Sequence, residues 1–143
     1  MKKNDIGRQL GCLHHLIKRE LENEASTEII RISAANGYIL FYLHENKEKD
    51  IFQKDLEEYF SITKSTASKI LSLMEQKGLI ARWAVAGDAR LKKLTITEKG
   101  EEMREVLIER RKQMEEKLTL GFTDEEIMQL CNYLRRMKNN MKK

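Results

Sequence analysis

The sequence predicts a mainly α-helical fold built around one two-stranded hairpin, and three observations carry that prediction. Between Thr63 and Gly78 apolar residues recur at Ala67, Ile70, Leu71 and Met74, the i, i+3, i+4, i+7 spacing of one buried helix face. Directly after Gly78 the hydrophobic period falls from about 3.6 to about 2 residues. Ile80 to Val85 and Leu91 to Ile96 therefore read as antiparallel strands joined by Ala86-Gly87-Asp88-Ala89-Arg90. Upstream, Phe52, Leu56, Tyr59 and Phe60 mark a helix from about Gln53 to Phe60, whose short turn into Thr63 makes a helix-turn-helix. The expected architecture is a winged helix-turn-helix with a two-stranded wing, flanked by long terminal helices.

Taken in order, Ile6, Leu10, Leu13, Ile17 and Leu21 share one helix face from about Asp5 to Glu24. A second helix starting near Ser33 carries Ala35, Ile39, Tyr42 and Leu43 and fades into the charged loop Asn46-Lys47-Glu48-Lys49-Asp50. Ile51 is placed to form a single short strand against the wing. Thr63 is the expected N-cap of the following helix, and Gly78 its left-handed C′ residue. On the second wing strand Leu94 and Ile96 face the core, and Lys93 and Thr95 face out. Thr97 caps the next helix, striped by Met103, Val106, Leu107, Met114 and Leu118, until Leu120-Gly121-Phe122 breaks it. Thr123-Asp124-Glu125-Glu126 is a capping box for a last helix carrying Ile127, Leu130, Cys131, Leu134 and Met141.

Composition sets the partner class. The chain has 143 residues, 41% of them hydrophobic, and a net charge of +4, which suits one domain with a real core. The charge is not spread evenly: residues 61–100 hold 8 basic side chains against 3 acidic ones. A basic excess confined to the winged-helix stretch is what a nucleic-acid contact surface requires. No apolar run is long enough for a membrane span, and Met1-Lys2-Lys3-Asn4 is not followed by a signal-type segment, so a cytoplasmic location is expected. Two cysteines, Cys12 and Cys131, imply no disulfide framework. No Gly-rich phosphate loop, metal motif or nucleophile–base pair appears, which weighs against an enzyme and calls for no cofactor.

Placing residues 100° apart puts Ser65, Lys69, Ser72 and Gln76 on the outer face of the 63–78 helix, with Thr66 and Ser68 on its flanks. Small hydroxyl side chains let a backbone approach base edges in the major groove. Arg90 at the hairpin tip suits a narrow minor groove, with Asp88 placed to hold its guanidinium and Lys92, Lys93 and Arg82 behind it.

The run Asp88-Ala89-Arg90-Leu91-Lys92-Lys93-Leu94-Thr95-Ile96-Thr97-Glu98-Lys99-Gly100 resembles the wing signature of MarR-family transcriptional regulators, an Asp-x-Arg tip and a basic strand, then Leu-Thr-x-x-Gly opening a long helix. Gln53-Lys54-Asp55-Leu56 and Lys64-Ser65-Thr66-Ala67-Ser68-Lys69-Ile70-Leu71 resemble its two DNA-binding helices, and Glu75-Gln76-Lys77-Gly78-Leu79-Ile80 their exit. The lead-in Trp83-Ala84-Val85-Ala86 departs from the charged lead-in usual there. The resemblance implies a single domain over 1–143, with a DNA-binding lobe at about 33–100 and dimerisation helices at about 1–32 and 101–143. It implies a homodimer on a palindromic site of double-stranded DNA, and the unmatched apolar stripes of the terminal helices point the same way. The expected function is a ligand-responsive repressor; a thiol-sensing repressor acting through Cys12 and a winged-helix protein-interaction module are the alternatives.

On this reading Ser65, Thr66, Ser68 and Lys69 read base edges, flanked by Ser72, while Lys64, Thr63 and Gln53 hold phosphates. Lys92, Lys93 and Arg82 add salt-sensitive affinity. Cys12, His15, Tyr38, Tyr42 and Trp83 are candidates for lining a small-molecule effector pocket, as the resemblance implies. Metal binding by His14, His15 or His44 with Glu20, Glu24 or Cys12 is disfavoured, because adjacent helical histidines point about 100° apart.

Overall fold

The computed structural model describes residues 5–23 and 28–142. The N-terminal residues 1–4, the candidate ligand Glu24 and the side chain of Ala35 fall outside that description. Among the described residues the order is α1 (Ile6–Asn23), α2 (Glu28–Asn36), α3 (Tyr38–Glu45), α4 (Gln53–Phe60), α5 (Lys64–Gln76), β1 (Ile80–Val85), β2 (Asp88–Ile96), α6 (Glu98–Leu118) and α7 (Asp124–Met141). The chain is a mainly α winged helix with one two-stranded antiparallel sheet.

Two compact units divide it, Met1–Arg110 and Arg111–Lys143. In the first, Ile39, Leu40 and Leu43 of α3, Leu56 of α4, Leu71 and Met74 of α5 and Leu94 of β2 form one buried cluster. Removing such side chains from water is the main favourable term holding the lobe together. The second unit contains the end of α6, the turn through Gly121 (φ +84°) and α7. Thr123 closes a reciprocal cap there: its hydroxyl accepts from Glu126 N at 3.1 Å, and Glu126 Oε1 accepts from Thr123 N at 2.9 Å. No residue of α1 or of α7 is buried.

The stretch read as one helix from near Ser33 is in fact two, because the chain is already helical from Glu28 and breaks at Gly37. The interruption is a single residue: Gly37 keeps helical dihedrals (φ −62°, ψ −22°) and its carbonyl accepts from Phe41 N at 3.1 Å. A Cβ there would stand 2.7 Å from both Leu107 Cδ1 and the Ser33 carbonyl oxygen, so glycine suits this crowded position. The α4 limits, the Thr63 cap and the Gly78 stop are as the sequence predicts. Thr63 Oγ1 accepts from Thr66 N at 3.1 Å, and Gly78 has φ +77° with Leu79 N donating to Met74 O at 3.0 Å. Ser61, in the turn between the two helices, adopts φ +54°, a left-handed conformation a non-glycine residue reaches at some cost.

The wing runs Ile80↔Ile96 to Ala84↔Lys92 and closes at Val85↔Asp88. The register slips between Ala84 and Val85, so Ala89, Arg90 and Leu91 fall between two paired positions. The second strand therefore starts at Asp88 rather than Leu91, and the tip is the shorter Ala86-Gly87. Ile51 bridges Leu94, as expected, with Leu94 N donating to Ile51 O at 2.7 Å. Thr97 joins three elements. Its backbone N donates to Leu79 O at 3.1 Å, its hydroxyl donates to Gly78 O, and the same oxygen accepts from Gly100 N at 3.0 Å.

Candidate nucleic-acid interface

Ala67, Leu71 and Met74 bury one side of α5, which turns Lys64, Ser65, Thr66, Lys69 and Ser72 outward, all exposed. The face is partly wired before any ligand arrives. Thr63 Oγ1 donates to Thr66 Oγ1 at 3.0 Å. The Gln53 amide, at the start of α4, donates to Ser68 Oγ at 2.9 Å and to the Lys64 carbonyl at 3.3 Å. Gln53, read from sequence as a phosphate holder, is thus tied to α5 itself. Arg82 is tied as well: Nη2 donates to Ser72 Oγ at 3.3 Å, and Nε lies 3.7 Å from Glu75 Oε1.

On the wing, Asp88 Oδ1 accepts from the backbone N of Arg90 at 2.9 Å. The expected bond to the Arg90 guanidinium is replaced by this one, because an aspartate two residues earlier reaches the backbone of its own turn first. Asp88 therefore shapes the tip, and the Arg90 side chain extends from an exposed site. Lys93 Nζ pairs with Asp50 at 2.9 Å, which ties β2 to the loop before Ile51. Among the described residues Lys64, Lys69, Arg90 and Lys92 make no ion pair, and all four are exposed. Trp83 is exposed on β1, and its indole N–H donates to Thr95 Oγ1 at 2.8 Å.

A groove of about 650 Å³ lies beside α5, walled by His14, Ile17, Lys18, Leu21 and Glu22 of α1, Arg31, Ile32 and Asn36 of α2, and Tyr38, Ile62, Thr66 and Ile70. Of the sequence candidates for an effector pocket, only Tyr38 lines it; burial pushes its hydroxyl pKa up. Cys12 and His15 stand exposed on α1, Tyr42 packs tilted against Tyr59 and edge-on against Phe60 with centroids 4.7 and 5.5 Å away, and Trp83 is on the wing. The α2 residues of this wall escape a linear reading because nothing in their spacing says that α1 packs on α2.

Sequence reasoning also missed an ionic cluster beneath the wing. His44 Nδ1 lies 2.8 Å from Glu101 Oε2, and Arg104 Nε donates to the same oxygen at 3.1 Å. Burial pulls the Glu101 carboxyl upward, but the bonds from His44 and Arg104 outweigh it and leave the pKa below the usual value. His44 and Glu101 are 57 positions apart, so no local signal links them. Among the described residues no group of three or more His, Cys, Asp or Glu is arranged to hold a metal ion.

Comparison with known proteins follows this geometry closely. A model described as the MarR family matches residues 32–91, from the middle of α2 into β2. The HTH-type transcriptional regulator YybA of Bacillus subtilis is 26% identical over 140 residues, spanning 98% of this chain and 91% of that protein. The transcription regulator MarR from Oenococcus oeni PSU-1 is similar at 30% identity, with 94% of this chain and 99% of that one covered and a TM-score of 0.73. The S. aureus MepR–DNA complex is similar at 25% identity, with 96% and 99% covered and a TM-score of 0.84.

Proposed function

The chain belongs to the MarR family of winged-helix transcriptional regulators, DNA-binding proteins rather than enzymes, and from that premise we propose that it is a homodimeric repressor of palindromic operators. The observation that carries the reading is the α5 face. Its first three turns present hydroxyls, Lys64 and Lys69 with no acidic residue, beside a wing that exposes Arg90 and Lys92. Lys64, Thr63 and the N-terminus of α5 hold phosphates, while Ser65, Thr66, Ser68 and Lys69 face base edges. Arg90 enters the minor groove, and Lys92 adds sequence-independent affinity. The S. aureus relative was solved bound to DNA, which supports this placement.

Dimerisation has its own support. Ile6, Leu10, Leu13 and Leu16 on α1, and Met128, Leu130 and Tyr133 on α7, are exposed apolar side chains that a second copy would cover. Residues of about 33–100 then form the DNA-binding lobe, and about 1–32 and 101–143 the dimerisation helices. Among the described residues no helix is long and apolar enough to cross a membrane, in keeping with a cytoplasmic regulator. The groove supplies the responsive element. Thr66 and Ile70 belong to α5, so a small apolar effector seated there, with a polar group near Lys18 or Arg31, presses directly on the recognition helix.

Fluorescence anisotropy with the duplex upstream of the protein's own gene, against random competitor and across a salt series, tests the reading. Binding by two chains per duplex that resists random competitor and weakens steeply with salt is expected. Equal affinity for random DNA overturns it.

A further inference from the structure

Gln53 opens α4, and Ser68 lies on α5, 15 positions later. Both protons of the Gln53 amide nitrogen are used, one toward Ser68 Oγ at 2.9 Å and one toward the Lys64 carbonyl at 3.3 Å. Only the amide oxygen Oε1 is left over. Ser68 accepts, so its own hydroxyl proton needs another target. In a helix that proton usually turns back to the carbonyl four residues earlier, here Lys64 O. That oxygen already takes the Ser68 backbone N–H of the helix ladder and the Gln53 amide, which fill its two lone pairs. Among the described residues, neither Gln53 Oε1 nor the Ser68 hydroxyl proton has a protein partner.

We infer that Gln53 and Ser68 work as one composite reader of an adenine in the major groove, with Ser68 giving the donor and Gln53 Oε1 the acceptor. The inference rests on the DNA-binding reading above. Adenine offers N7, an acceptor, beside the N6 amino donor, so the two edges match. Guanine offers two acceptors, N7 and O6, and would set O6 against Gln53 Oε1; thymine and cytosine each offer one half of the pattern. A lone glutamine could serve adenine with its own amide, but here both amide protons are committed. The Gln53 amide therefore fixes the polarity of the Ser68 hydroxyl, and the pair is set before DNA arrives.

The test starts from duplexes that the full-length wild type enriches out of a randomised library. Each adenine of the preferred duplex is replaced in turn by 7-deazaadenine, which lacks N7, or by nebularine, which lacks the 6-amino group. One position is expected where either analogue weakens wild-type binding about fivefold or more. At that position Ser68→Ala ignores the loss of N7 but still feels the loss of the amino group. Gln53→Ala ignores both, because the freed Ser68 proton turns back to Lys64 O. Ser68→Thr keeps a hydroxyl and keeps the sensitivity to N7. Gln53→Ala that still responds to 7-deazaadenine like the wild type overturns the coupling. No adenine at which both analogues weaken the wild type overturns the base assignment, whether or not the variants fold. A wild type that enriches no sequence overturns instead the DNA reading on which the inference stands.

Discussion

The two parts of the surface proposed to face DNA are built on opposite plans. On α4 and α5 the outward side chains are bonded to one another: Thr63 to Thr66, Gln53 to Ser68 and Lys64, Arg82 to Ser72. The wing keeps its backbone in place through Asp88 and Arg90 N, but holds the Arg90 and Lys92 side chains without ion-pair partners among the described residues. Groups fixed beforehand lose little rotamer freedom on binding and reject a mismatched edge, whereas a cation on a long stem loses more freedom and is drawn by charge alone. On the proposed DNA-binding reading, discrimination belongs to the helices and salt-sensitive affinity to the wing. The difference also reaches downward. The helix face sits directly on the core through Leu71 and Met74, whereas Ala86 and Gly87 at the wing tip are exposed and stand outside the buried cluster.

The comparison can be broken at several points. Leu71 is fully buried under the recognition face, and Leu71→Ala should cost about 2–5 kcal/mol of folding stability in denaturant melts and take DNA binding with it. Arg90→Ala should leave stability within about 0.5 kcal/mol. Its operator binding should nevertheless fall by about 1–3 kcal/mol in a direct titration. Unchanged operator affinity would remove the wing from the interface. Thr63→Ala deletes the α5 cap and should lower the melting stability by about 1 kcal/mol, a loss felt by the helix side alone.

The smallest effect lies away from both surfaces. The Glu101 pKa is depressed in the folded chain, so its pairing stabilises the fold above the ordinary carboxylate range and the benefit disappears as pH falls through the lowered value. Glu101→Gln should therefore destabilise by under about 1 kcal/mol at neutral pH, since both partners are about a third exposed. The gap to wild type should close toward about pH 4 and below. A gap that stays constant with pH would assign the loss to something other than the charge.

Local chemistry was legible in the sequence, and tertiary pairing was not. Gln53–Phe60, the Thr63 cap, the Gly78 stop and the Thr123 box each depend on residues within a turn or on a hydrophobic period, and each appears as expected. The Ile51 bridge to Leu94 also appears, although it spans the chain from one element to another. The crowding of Gly37 against Leu107 joins residues 70 positions apart, and a helix period cannot report a neighbour that distant. The candidate interface divides in the same way. Which residues α5 turns outward follows from 100° spacing, but Gln53 lying on Ser68, Arg82 on Ser72, and Asp88 bonding backbone instead of guanidinium all need the packed geometry. The wall that α2 gives the groove shows the same limit, since the helix read from near Ser33 left out Arg31 and Ile32.

Thr97 makes the end of the recognition helix, the foot of the wing and the root of α6 a single joint. A machinist would describe it as a keyed coupling: the shaft cannot turn inside its collar. If the first turns of α6 rotate about their own axis, either the Thr97 bonds to Gly78, Leu79 and Gly100 are sheared or the exit of α5 turns with them. Gly100 tightens the fit, since an added Cβ would collide with the Leu79 carbonyl and leave no slack to absorb the twist. Motion at the root of that helix is therefore geared to the pitch of α5 without passing through a flexible loop.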